Sequence, residues 1–146
     1  MVILLDSKYK PPGPIFIDRD LIKSKAYLSL TGIAPQVLLV FMSKRKMARI
    51  KSNGNKRKDT WVISNNGLIT FPYLEAQHAY NISQQRFTRA IDQLIEHGFI
   101  QVSKDSSGLF GTPSLYSIID TWRFFCTAKF NCMPREKRMN QVGFCR

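Results

Sequence analysis

Asn81-Ile-Ser-Gln-Gln-Arg-Phe-Thr-Arg-Ala-Ile-Asp-Gln-Leu-Ile-Glu-His-Gly-Phe-Ile100 reads as a single amphipathic helix with both ends marked. Ser83 stands where its hydroxyl can cap the free amides of a first turn, and Ile82 and Phe87 have hydrophobic-staple spacing around it. Phe87, Ile91, Leu94 and Ile95 recur three and four residues apart and make one apolar stripe. Gly98 follows as a left-handed stop, with Phe99 placed to pack back on Leu94. The spacing predicts a helix from Gln84 to His97. At about 100° per residue, Gln85, Arg89, Asp92, Gln93 and Glu96 fall opposite the stripe, with Arg86 and Thr88 on its shoulders.

Immediately upstream, Thr70 is expected to cap a second helix that tolerates Pro72 in its first turn, with Tyr73, Ala76 and Tyr80 on one side. Asn81 supplies the turn residue between the two helices. Downstream, Phe99 to Lys104 and Leu115 to Ile119 are strand-like, and Asp105-Ser-Ser-Gly-Leu-Phe-Gly-Thr-Pro-Ser114 between them has the Gly and Ser content of a hairpin loop. The segment from Thr70 to Ile119 therefore predicts two helices, a tight turn and a two-stranded hairpin.

The polar side of the Gln84–His97 helix changes along its length, with Gln and Arg in its first two turns and acid in its last. Gln makes paired hydrogen bonds to adenine and Arg to guanine in the major groove, and recognition helices read bases with their N-terminal residues. A solvated helix face is the plain alternative, because Gln and Arg are also good helix formers.

Trp61-Val-Ile-Ser-Asn-Asn-Gly-Leu-Ile-Thr70, Tyr73-Leu-Glu-Ala76, Asn81-Ile-Ser-Gln-Gln-Arg-Phe-Thr-Arg-Ala90 and Gly98-Phe-Ile100 together resemble winged helix-turn-helix proteins of bacterial, phage and plasmid type. The resemblance covers roughly residues 20 to 123 and is to a fold class. It implies an α+β winged helix-turn-helix, a helical core with a C-terminal β-hairpin wing, that holds Gln84 to Arg89 at the major groove of duplex DNA. Transcription regulators and replication initiators both use such domains. The chain departs from the commoner pattern in its wing tip, which carries no basic residue; Lys104 lies at the base, and Asp105 opposes phosphate contact.

At 146 residues and 44% hydrophobic, the chain suits one domain with a small core, and its formal charge of +12 asks for a polyanionic partner. That charge is unevenly placed. Lys44, Arg45, Lys46, Arg49, Lys51, Lys56, Arg57 and Lys58 crowd into fifteen positions with no acid among them. Arg123 to Arg146 carries +5, and the remainder is close to neutral. The sequence divides into an N-terminal arm (1–19), a winged helix domain (20–125) that includes the basic loop 44–58, and a basic, flexible tail (126–146).

The basic loop is expected to follow an apolar helix starting at Thr31, with Pro35 in its first turn and Val37, Leu38, Phe41 and Met42 inward. It would end at a strand, Trp61 to Ile63. So concentrated a charge repels itself unless anions are near, which favours DNA phosphates over a merely solubilising loop. The tail is read as either a disordered extension or a DNA-tracking arm, with a protein partner also open to it. Asp120 to Phe125 is expected to form a short helix packed through Trp122 and Phe125.

In the arm, Lys10-Pro-Pro-Gly-Pro14 is irregular and Ile15 to Ile17 is expected to be a short strand. Asp20 to Leu30 is expected to be one helix capped by Asp18 or Asp20. Met1 to Leu5 is too short for a signal peptide or a membrane span, so a cytoplasmic protein without membrane contact is expected. Cys126, Cys132 and Cys145 lack the spacing and the fourth ligand of a zinc site, so no metal or cofactor is expected. No enzyme is expected either, because Asp92 and Glu96 sit on an exposed helical face and no phosphate loop or nucleophile elbow is present.

The sequence thus predicts a sequence-specific double-stranded DNA-binding protein, in the first place a transcription regulator. Gln85, Arg86, Thr88 and Arg89 would read bases. Ser83, Gln84, Lys44, Arg45, Lys46, Arg49, Lys51, Lys56, Arg57, Lys58 and Lys104 would hold the backbone. A replication initiator or accessory protein of a phage or plasmid, and a winged-helix protein-interaction module without DNA binding, are the alternatives. A homodimer stays open, since no heptad announces one.

Overall fold

The computed structural model describes residues 13–51, 54, 60–105 and 112–135. These residues form helices and two small antiparallel sheets, an α+β arrangement. In chain order they are α1 (Arg19–Lys23), α2 (Lys25–Leu28), α3 (Ala34–Ser43), β1 (Met47–Ile50), β2 (Thr60–Ile63), β3 (Ile69–Thr70), α4 (Tyr73–Tyr80), α5 (Gln84–Glu96), β4 (Ile100–Lys104) and β5 (Leu115–Ile118), followed by a 3₁₀ turn at Thr121–Phe124.

The core is built on the stripe of α5. Phe87, Ile91, Leu94 and Ile95 are all buried, together with Ala90, and Val37, Leu38 and Phe41 of α3 are buried with them in one cluster. Each buried Val, Leu, Ile or Phe among them contributes about 1.5–3 kcal/mol by leaving water. Edge-on aromatic contacts join the elements. Phe41 lies 5.6 Å from Phe71 and 5.2 Å from Tyr116, and Phe71 lies 5.0 Å from Phe87.

The ends of α5 follow from local chemistry. Gly98 takes φ +81°, so the Phe99 amide donates to the Leu94 carbonyl at 3.0 Å and the Gly98 amide to that of Ile95 at 3.1 Å. Asn81, at φ 53°, makes the left-handed turn between α4 and α5. Ser83 occupies the N-cap position, but its hydroxyl makes no capping bond, which corrects the sequence expectation. Its carbonyl accepts from the Phe87 amide at 2.9 Å, and Ile82 and Phe87 are both buried, so packing marks this helix start.

One sheet has the order β3-β5-β4, with Ile69 opposite Tyr116, and Tyr116 also opposite Val102. Thr70 is a strand residue there and α4 begins at Tyr73 with Pro72 at its cap, so Thr70 is not a helix cap. The other sheet is a two-stranded ribbon, β1 with β2, pairing Ala48 with Val62 and Arg49 with Trp61. The expected loop 44–58 therefore contains a strand.

Several outer elements differ from expectation. The helix read from Asp20 to Leu30 is broken at Ser24, whose extended backbone lets its hydroxyl donate to the Leu21 carbonyl at 2.6 Å and accept from the Tyr27 amide at 3.1 Å. Asp18 makes no side-chain cap; its carboxylate pairs with Arg123 at 2.9 Å. Residues Ile15 to Ile17 form no strand. α3 starts at Ala34, not Thr31. Trp122 is buried in its 3₁₀ turn, as the sequence suggested for a short helix there. Of the tail read from 126, the structure describes the first ten residues, 126–135. Phe130 meets Phe125 edge-on at 5.4 Å and lies against Gly98, and Arg135 pairs with Asp92 at 2.8 Å.

Candidate nucleic-acid interface

The amphipathicity of α5 leaves one long side of the helix outside the core. Ser83, Gln84, Gln85, Arg86, Thr88 and Arg89 are all exposed. Among the described residues, the side chains of Gln85, Arg86 and Arg89 form no hydrogen bond or ion pair. Two guanidiniums and an amide therefore project together from the first two turns, all with donors that a base edge could take.

The C-terminal half of the same side is committed to the fold. Gln93 Oε1 accepts from the Thr31 amide at 2.9 Å, and its Nε2 donates to Thr31 Oγ1 at 2.6 Å. Asp92 is held by Arg135, so it is neither a free acid nor half of a carboxylate pair with Glu96. The polar face is thus divided between a bare N-terminal half and a C-terminal half in which Asp92 and Gln93 are fastened.

The basic segment divides in the same way. Lys44 Nζ reaches both oxygens of Glu75 in α4, at 2.6 and 2.7 Å, and stands 5.2 Å from the Phe71 ring centroid. The Arg45 guanidinium donates to the Phe16 and Met42 carbonyls. Burial pulls its pKa below the usual arginine range, against the opposing pull of Asp18 and Asp120. Both side chains hold the fold, which is a different use from the phosphate contact expected of them. Lys46, Arg49, Lys51 and Lys104 are exposed, whereas Lys56, Arg57 and Lys58 lie outside the described residues.

Asn65 fixes the base of the ribbon, its amide donating to the Lys44 carbonyl at 3.0 Å and its oxygen accepting from the Lys46 amide at 2.9 Å. Asn66 does the same for β5, bridging the Ile118 amide and carbonyl at 2.7 and 3.0 Å. Above this base Trp61 is 61% exposed, which sequence reasoning missed. The available signal was the alternation of Met47, Arg49 and Lys51 with Ala48 and Ile50, a strand pattern hidden under the charge.

The hairpin of β4 and β5 presents Lys104 and Asp105 at its open end, while the tip, 106–111, lies outside the described residues. Cys126 and Cys132 are free thiols, and no group of three or more metal-ligating side chains occurs among the described residues. No described helix is long and apolar enough to cross a membrane. Comparison with protein-family models, with curated proteins and with solved structures gives no match to this chain.

Proposed function

We propose that this chain is a winged helix-turn-helix protein that binds double-stranded DNA sequence-specifically, acting as a cytoplasmic transcription regulator. The observation that carries the reading is the bare N-terminal half of α5, where Gln85, Arg86, Thr88 and Arg89 stand exposed while the opposite side of the helix is locked in the core. The order α3, β3, α4, α5, β4, β5 with sheet order β3-β5-β4 supports it, since it sets a helix pair beside a hairpin.

In this reading α5 enters the major groove and its Arg and Gln side chains pair with base edges. Ser83 and Gln84 meet the backbone at the helix start, and Lys46, Arg49, Lys51, Lys56, Arg57, Lys58 and Lys104 supply phosphate contacts. The β4–β5 hairpin is the wing.

Titration of a labelled duplex with the full chain at rising salt tests the reading. Binding that weakens linearly in log salt, at a slope of several units, is expected from phosphate neutralisation. Failure to bind any duplex at low salt would overturn it in favour of a protein-interaction module.

A further inference from the structure

Deepening the DNA-binding reading and resting on it, we propose that the β1–β2 ribbon is a second duplex-DNA contact, independent of α5, which lays its Arg49–Trp61 face on the nucleic acid. Antiparallel register sets the faces. Met47 and Arg49 share one side with their cross-strand neighbours Ile63 and Trp61, and Ala48, Ile50, Val62 and Thr60 share the other.

The ribbon is built to stand apart. Its base is fixed through Asn65 and through the Ser64 amide, which donates to the Lys46 carbonyl at 2.7 Å. Beyond that base, Ile50 is 55% and Trp61 61% exposed, so both sides of the ribbon meet solvent. A bare two-stranded ribbon with an uncovered indole is costly to leave in water, because exposed apolar strand surface invites association.

Charge selects the partner. From Lys46 to Ile63 the sequence carries six basic residues against Asp59 alone. A second copy of this chain would meet the same positive field, whereas duplex DNA neutralises it. A two-stranded ribbon also matches the width of the major groove, and the indole offers an N–H donor together with a flat apolar surface.

The two tryptophans make the test direct, since Trp61 is exposed and Trp122 is 5% exposed. Intrinsic fluorescence of the full chain is followed while a short mixed-sequence duplex is added. Quenching is expected that Trp61→Phe abolishes, and that Arg89→Ala moves to higher duplex concentration without lowering its plateau. Lys51→Ala, which alters no packed side chain, should lower the salt slope by about one unit.

If the duplex binds by anisotropy while Trp61 emission stays unchanged, the ribbon inference fails and the α5 reading survives. If no duplex binds, both fail. If Trp61 emission instead depends on protein concentration without DNA, a second copy covers the ribbon and the inference is overturned.

Discussion

Gln93 of α5 grips Thr31 through two hydrogen bonds at once, its oxygen receiving the backbone amide at 2.9 Å and its amide nitrogen reaching the hydroxyl at 2.6 Å. Gln85, on the same helix, makes no hydrogen bond or ion pair among the described residues. Gln93→Ala should therefore lower unfolding stability by about 1 kcal/mol in urea melts and leave DNA affinity unchanged. Gln85→Ala should do the reverse. Equal effects on affinity would remove the division of α5 into a fastened half and a reading half.

A similar separation applies to the basic residues. Glu75→Gln takes the carboxylate from beneath Lys44, and the half-buried pair should lose roughly 0.5–1 kcal/mol, less at high salt. Because Lys44 is committed to Glu75, Lys44→Ala should also destabilise the protein while leaving the salt slope of DNA binding unaltered. A slope reduced by a full unit would show that Lys44 exchanges Glu75 for a phosphate.

Gly98 admits no side chain. Its φ is +81°, and an added Cβ would fall 2.8 Å from the Trp122 nitrogen and 2.9 Å from Phe130 Cε2. Gly98→Ala should cost about 2 kcal/mol or more in a thermal or denaturant melt, from the left-handed backbone together with the clash.

The alkaline side of the stability profile should carry the mark of Tyr116. Burial raises its pKa above the usual tyrosine value, outweighing the lowering influence of Arg135 and of the Ser114 hydrogen bond. The folded state therefore keeps the phenol proton where the unfolded chain releases it, so the contribution is complete below about pH 10 and is lost as pH rises beyond it. Tyr116→Phe should flatten that alkaline decline. An unchanged profile would assign the decline to other groups.

Much of the helical core was legible because α5 states its limits in sequence: the stripe from Phe87 to Ile95 and the glycine at 98 both act within one helix. Asn81 was equally readable as a turn. What escaped depends on residues far apart in the chain. Arg135 lies 43 positions from Asp92, and Gln93 lies 62 from Thr31, so nothing local showed that Asp92 and Gln93 were already engaged. The break at Ser24 escaped because its hydroxyl competes with the helix for backbone groups. The strand β1 escaped because its charge was read before its alternation.

The central claim is that Arg89 and its neighbours read bases, and its most direct measurement is a selection from random duplex DNA with the full chain and with Arg89→Ala. The unaltered protein should enrich one motif. For the variant, affinity for that motif should be lower by about 1–3 kcal/mol, with preference relaxed at one base pair. Loss of affinity that is equal on the motif and on random DNA, or no enrichment at all, would contradict the claim.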